Sequence, residues 1–176
     1  MKRIGNDNFS YCWDLKYVQI SANEPPICGE YAFSGITDRV LLYVPEGYSV
    51  NYQSAEIWKD FTTVIEGEAV PDFSIDGITY RATSGTNVSI ISCDNASELD
   101  GNLIIADSVC YRERRFAVTS IEAHTFSIAW NITGLVLPST LASVGEYAFA
   151  GCSSLQYVQI EAQNPPACHS NTFNAS

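Results

Sequence analysis

Apolar residues recur along this chain on a fixed spacing, and the phenylalanines show it best. Phe9 and Phe33 are 24 residues apart, Phe126 and Phe149 are 23 apart, and Phe149 and Phe173 are 24 apart. Five residues before the Phe stands an aliphatic residue, Ile4, Ile121 or Val144. After it come apolar residues at the sixth, ninth and eleventh positions: Leu15, Val18, Ile20; Ile132, Leu135, Leu137; Leu155, Val158, Ile160. The last two of each set alternate in and out, the period of a short half-buried strand, while the Phe-containing stretch makes the return path through helical or irregular turns. Stacked units of this kind line their strands side by side in a parallel sheet.

A longer copy lies over this period. Residues 144–176 repeat residues 4–36 at an offset of 140, with thirteen of 33 pairs identical. Repeat units of this size bury their apolar faces on each other and present an extended surface, which favours binding over catalysis. Tyr52, Ala55, Trp58 and Phe61 are spaced by threes, the buried face of a helix over about residues 51–61. Gly67 and Pro71 punctuate an acidic stretch between two apolar ones and mark a boundary there.

The residues Val144-Gly-Glu-Tyr-Ala-Phe-Ala-Gly-Cys-Ser-Ser-Leu-Gln-Tyr-Val-Gln-Ile160 resemble the signature of the BspA-like leucine-rich repeats of surface and secreted proteins in Bacteroides-type anaerobes. The segment Leu42–Gly47 followed by Tyr52–Phe61 is similar to the one that closes such arrays, and Asp72–Ala82 through Val118–Ile121 resembles the β-rich segment that opens them. The signature departs in places: its Gly-Cys pair is Ile128-Ala129 in one unit and Tyr11-Cys12 in another. The resemblance implies an α/β leucine-rich repeat solenoid of short parallel strands, with a capping helix near 51–61 and a β-hairpin array-opening segment near 73–118. Residues 1–67 then form the end of one array with its closing cap, 68–71 a linker, and 72–176 the opening segment and start of a second array. The order of these pieces suggests an excised fragment whose first and last turns have open stacking edges, and hence head-to-tail self-association through them.

Composition narrows the function. The formal net charge of −11 argues against nucleic acid, whose phosphates need clustered Lys and Arg. The basic cluster Arg112-Glu-Arg-Arg115 is interrupted by an acid and reads as a hairpin turn. No apolar run approaches the ~20 residues that span a bilayer. No secretory signal is present in the sequence, so the extracellular or cell-surface location implied by the resemblance depends on an export signal elsewhere.

The six cysteines are placed by the repeat frame. Cys28 and Cys168 fill the slot of Ile4, Ile121 and Val144, and Cys12 and Cys152 fill that of Ala129 and Ile36, so all four read as buried small hydrophobes. The equal Cys12–Cys28 and Cys152–Cys168 spacings also allow a bridge across one turn. No cysteine pair has zinc-knuckle spacing, and no metal or cofactor is expected. Catalytic motifs are missing too: no Gly-x-Ser-x-Gly elbow, no His-Glu-x-x-His helix and no phosphate-cradling glycine loop. The adjacent Cys168 and His169 would point apart, and Asp72/Asp76 and Glu66/Glu68 read as solvated charge. The chain is read as a non-enzyme.

The binding candidates are outward-facing strand residues, Tyr17, Gln19, Tyr43, Tyr157, Gln159 and Glu161, together with Trp13 and Trp130, which share a slot four after Phe9 and Phe126. Tyr and Gln give flat apolar area with hydrogen-bonding capacity, suited to protein or glycan. The bland alternative is a sheet face kept soluble by amphipathic residues. Two functions remain: a non-enzymatic adhesion or protein-interaction module, which the resemblance links to attachment to matrix proteins and cells, and a carbohydrate-binding accessory module using Trp13 and Trp130 as stacking platforms.

Overall fold

A computed structural model describes residues 3–174 and divides the chain into two compact units, residues 1–70 and 71–176. The sequence Asn174-Ala-Ser176, an Asn-x-Ser/Thr glycosylation pattern, ends outside the described residues.

The first unit contains β1 (Arg3–Ile4), β2 (Tyr17–Gln19), β3 (Ile27–Cys28), β4 (Leu41–Val44), α1 (Ser49–Ser54) and β5 (Val64–Glu66). The strands form two parallel ladders. In one, β4 lies between β2 and β5, with Tyr17 opposite Leu41 and Leu42 opposite Val64. In the other, β1 pairs with β3, Ile4 opposite Cys28. Each repeat therefore supplies a second strand that the hydrophobic pattern assigned to the return path. At two residues, β1 and β3 are too short for alternation to be read. Between the ladders Phe9 stacks on Phe33 with centroids 5.3 Å apart and planes within 8°. The Phe9 N–H donates to the Ala32 carbonyl over 2.8 Å, so ring stacking and backbone bonding join the same two turns.

The expected helix over 51–61 is broken. α1 ends at Ser54, Ala55 is extended, Ile57 has φ of 71°, and Trp58–Asp60 form a single 3-10 turn. Residues 52 and 58 in an unbroken α-helix would be about 120° apart around its axis. The break lets the Tyr52 and Trp58 rings turn into one core with Phe33 and Phe61.

The second unit contains β6 (Phe73–Ile75), β7 (Ile78–Ala82), β8 (Asn87–Cys93), β9 (Asp100–Ile104), β10 (Ser108–Tyr111), β11 (Arg114–Ile121), β12 (Asn131–Leu137), β13 (Ser143–Val144), β14 (Tyr157–Ile160) and β15 (Ala167–Cys168). β6–β7 and β10–β11 are antiparallel hairpins. Their two-residue turns, Asp76-Gly77 and Arg112-Glu113, have positive φ at both positions, the geometry that matches strand twist. The basic cluster is thus a hairpin turn, as its composition indicated.

Two parallel ladders follow, β8-β11-β13-β15 and β9-β12-β14. Phe126, Phe149 and Phe173 stack between them at centroid spacings of 5.4 and 5.5 Å. Residues 87–104 act as an additional turn that the Phe period did not announce. Ile90 pairs with Ile121, Leu103 with Leu135, and the fully buried Ala96 lies in the 3-10 turn between β8 and β9.

The cysteine expectations need correction. Cys152 is buried and Cys28 half-buried, but Cys12 and Cys168 are exposed, and all six cysteines are free thiols. Cys12 and Cys168 lie in the first and last described turns, where no further described turn covers their outer side. The same position leaves Val158 and Ile160 of β14 exposed although the frame turns them inward.

Candidate functional site

The outer face of the β9-β12-β14 sheet is built in rows by strand register. Asn102, Gly134 and Tyr157 form one row, and Ile104, Val136 and Gln159 the next. A Cβ added to Gly134 would stand 2.4 Å from Tyr157 Cζ and 2.5 Å from Asn102 Oδ1. The end of the phenol thus occupies the space of the missing side chain, beside Asn102. Tyr157 is 46% exposed and Ile104 67%, with Gln159 exposed beside half-buried Val136. Glu161, one residue past β14, is exposed, and its N–H donates to the Leu137 carbonyl over 3.0 Å. The result is an open face that offers aromatic, aliphatic and amide groups.

The equivalent face of the first unit is filled. Tyr43 was expected to face outward, but it has no exposed surface. It sits on the central strand between Gln19 and Ile65, with Tyr17 edge-on at 5.8 Å. After β5 the chain turns at Gly67, whose φ is 100°, and returns over the sheet so that the Ala69 N–H donates to Gln19 Oε1 over 3.3 Å. Tyr43 is therefore a packing residue and is removed from the contact candidates. Tyr17 and Gln19 remain exposed, Gln19 with its side-chain oxygen engaged.

Trp13 and Trp130 are 57% and 47% exposed. The Arg39 guanidinium lies 4.3 Å from the Trp13 ring centroid, and its Nη2 donates to the Trp13 carbonyl over 3.0 Å. Tyr11 packs at an angle 5.6 Å away. One face of Trp13 is thus already occupied by a cation–π contact. Trp130 directly precedes β12, and its carbonyl accepts from Ser154 N–H over 3.2 Å.

Two features went unread in the sequence. Asn102 and Ile104 belong to the open face, and the alternation of Asp100, Asn102 and Ile104 with buried Leu103 was the available signal. The residues two before Phe9, Phe33, Phe126 and Phe149, namely Asp7, Tyr31, His124 and Tyr147, all adopt left-handed φ between 53° and 61°. His124 and Tyr147 stack there at 5.2 Å. The repeated left-handed kink permits inter-turn bonds such as His124 N–H to the Glu146 carbonyl, 3.0 Å.

Several titratable groups are held by structural partners. Arg81 makes a two-point contact with Asp72 at 3.1 and 2.7 Å. Cys168 donates to the Pro166 carbonyl over 3.6 Å, while His169 Nδ1 lies 3.8 Å from Glu146. Burial pushes the Cys152 thiol up to about 11. A cleft of 560 Å³ in the first unit is lined by Glu30, Tyr31, Glu56 and Asp60 among others. Among the described residues no group of three or more His, Cys, Asp or Glu could hold a metal ion, and no helix is long and apolar enough to cross a membrane.

Strands of successive 23- to 24-residue turns paired in parallel, in mixed sheets with few helices, define a leucine-rich-repeat protein of α/β type. A family model described as BspA type leucine rich repeat region matches in six copies over residues 1–64 and 117–176, and the chain belongs to that family. Such membership suggests a protein-interaction module. Similar solved structures include a leucine-rich repeat protein from Bacteroides capillosus ATCC 29799, 27% identical, covering 51% of this chain and 64% of that one, with a TM-score of 0.44. Another is a leucine rich cell surface protein from Faecalibacterium prausnitzii A2-165, 19% identical, covering 56% and 26% with a TM-score of 0.46. The match spans less than two thirds of the length of either. No curated protein matches the chain.

Proposed function

We propose that this chain is a non-enzymatic interaction module of an extracellular or cell-surface protein, and that it binds a protein partner on the outer strand face of residues 71–176. The observation that carries this reading is the open pair of rows Asn102–Gly134–Tyr157 and Ile104–Val136–Gln159. A tyrosine, with two rotatable side-chain bonds, beside aliphatic and amide side chains offers contact area at small entropic cost. In the same reading residues 1–67 close one solenoid array, with Tyr52 and Trp58 in its cap, 68–71 link, and 72–176 open a second. Protein is preferred to glycan because a stacking platform needs a free ring face, and Arg39 takes one face of Trp13.

The test is surface plasmon resonance of the chain over a panel of extracellular-matrix proteins, run beside a glycan array. Expected is protein binding that falls about tenfold, or ~1.4 kcal/mol, in the Tyr157→Ala, Gln159→Ala double variant and is unchanged in Trp13→Ala. Glycan binding that disappears in Trp130→Ala would replace this reading with the carbohydrate-binding one.

A further inference from the structure

The two units carry the same strand, Tyr17-Val18-Gln19-Ile20 and Tyr157-Val158-Gln159-Ile160, at an offset of 140. In the first unit the face beside that strand is covered by the protein's own chain. Residues 67–70 cross it in non-regular conformation, and Gln19 Oε1 accepts the Ala69 N–H over 3.3 Å. In the second unit Gln159 is likewise on an edge strand and exposed, in a row with Val136 and Ile104, but β14 is the last strand of its sheet where β2 is the first, so the precedent is the outward glutamine and not the side on which the sheet continues. From this internal precedent we infer that the open face of the second unit takes an extended, basic segment of a partner protein, with Gln159 accepting a backbone N–H as Gln19 does.

The basic character follows from charge. Asp100 at the start of β9 and Glu161 just past β14 are both exposed at opposite ends of the face. β9, β12 and β14 contain no Lys or Arg. The segment that covers the first unit carries Glu68 and follows directly on Glu66 at the end of β5, so a second copy of that acidic stretch is mismatched to the second face by like-charge repulsion. A segment with lysine or arginine flanking small apolar residues matches both the rim and the Ile104–Val136 strip, and like-charge exclusion adds specificity. The inference rests on reading this face as the contact surface and adds the kind of partner.

Two fluorescein-labelled peptides test it by anisotropy against the full chain. One has the sequence of residues 63–72 and the other carries Glu66→Lys and Glu68→Lys. The lysine peptide is expected to bind at least tenfold more tightly, to weaken as salt rises, and to lose at least fivefold in Gln159→Ala and in Ile104→Lys. Equal affinity of the two peptides, or equal affinity in both variants, overturns the inference. If neither peptide binds while a matrix protein still loses binding in the Tyr157→Ala, Gln159→Ala variant, the extended basic mode falls and the contact face stands. If that matrix protein binds the variant unchanged, both fall.

Discussion

The indole N–H of Trp58 donates to the carbonyl oxygen of Pro26 over 2.8 Å. With the Tyr52 hydroxyl on the Ala22 carbonyl at 2.5 Å, it ties the segment after α1 back to the loop between β2 and β3. Trp58 also packs on Phe33, Tyr52 and Phe61. Trp58→Phe keeps most of the ring and loses the hydrogen bond, an expected cost of about 1 kcal/mol. Trp58→Ala removes the ring as well and should cost about 3–5 kcal/mol. Urea titrations of the three proteins check both, and a Trp58→Phe protein as stable as the wild type would mean that the bond contributes nothing.

Two glycines make opposite predictions. A Cβ on Gly145 would meet the backbone N of Ala123 at 2.5 Å and the carbonyl carbon of Glu122 at 2.7 Å, atoms that cannot turn aside. Gly145→Ala should therefore destabilise by about 1–3 kcal/mol, as overpacking does. A Cβ on Gly134 meets the far end of the Tyr157 side chain, which can swing away. Gly134→Ala should leave the melting temperature nearly unchanged while weakening whatever binds across Tyr157, a separation visible by pairing calorimetry with the binding assay.

The repeat length and the long strands were legible because their apolar positions recur at fixed offsets from Phe. Trp13 and Trp130 were read as exposed because the third unit has Ser153 in their slot. Tyr43 was misread because alternation gives the side of the sheet a residue faces, and cannot show that residues 67–70 return across that side. The turn over 87–104 escaped because Ala96 replaces the aromatic marker. The helix break at Ala55–Ile57 escaped because a spacing of threes looks helical whether or not the backbone stays continuous. Sequence pattern thus shows which face a residue takes, and long-range chain path decides whether that face is free.

The thiols should react in a defined order. Cys12 and Cys110 are exposed, Cys93 and Cys152 are buried, and Cys28 and Cys168 are raised above the ordinary thiol value by burial. With Cys152 near 11, only about one part in a thousand is thiolate at pH 8. Timed iodoacetamide labelling read by peptide mass spectrometry should find Cys12 and Cys110 first and Cys152 last. Early modification of Cys152 in folded protein would contradict its placement under Phe126 and Phe149.

The carboxylate of Glu66 is held below its usual range by the Gly47 backbone N–H first, and then by the Ser49 hydroxyl and N–H. The Ser49 N–H bond is 3.1 Å long and anchors the start of α1 to the end of β5. A lowered value in the folded state means that this contribution is complete above the unfolded carboxylate value and is lost as pH falls through the folded one. The Ser49 amide resonance should shift along that acid limb. Glu66→Gln should flatten the shift, and an unchanged titration in that variant would assign it to another acid.

Apolar surface at the first and last described turns predicts association. Phe9 and Phe173 end their ring stacks exposed, and Val158 and Ile160 leave the frame's inward side of β14 open. In interior turns these slots are filled by rings such as Phe33 and Phe149 and by Leu135 and Leu137, all buried. A repeat face of this kind gains by covering itself with another turn. Light scattering across a concentration series should show the apparent mass rising with concentration. Val158→Lys with Ile160→Lys should return the mass toward that of a 19.3 kDa monomer, because two charges on the stacking side cannot be desolvated cheaply. A monomer at every concentration would show that these turns stay uncovered by a second copy, and would leave the open face of Tyr157 and Gln159 as the surface to pursue.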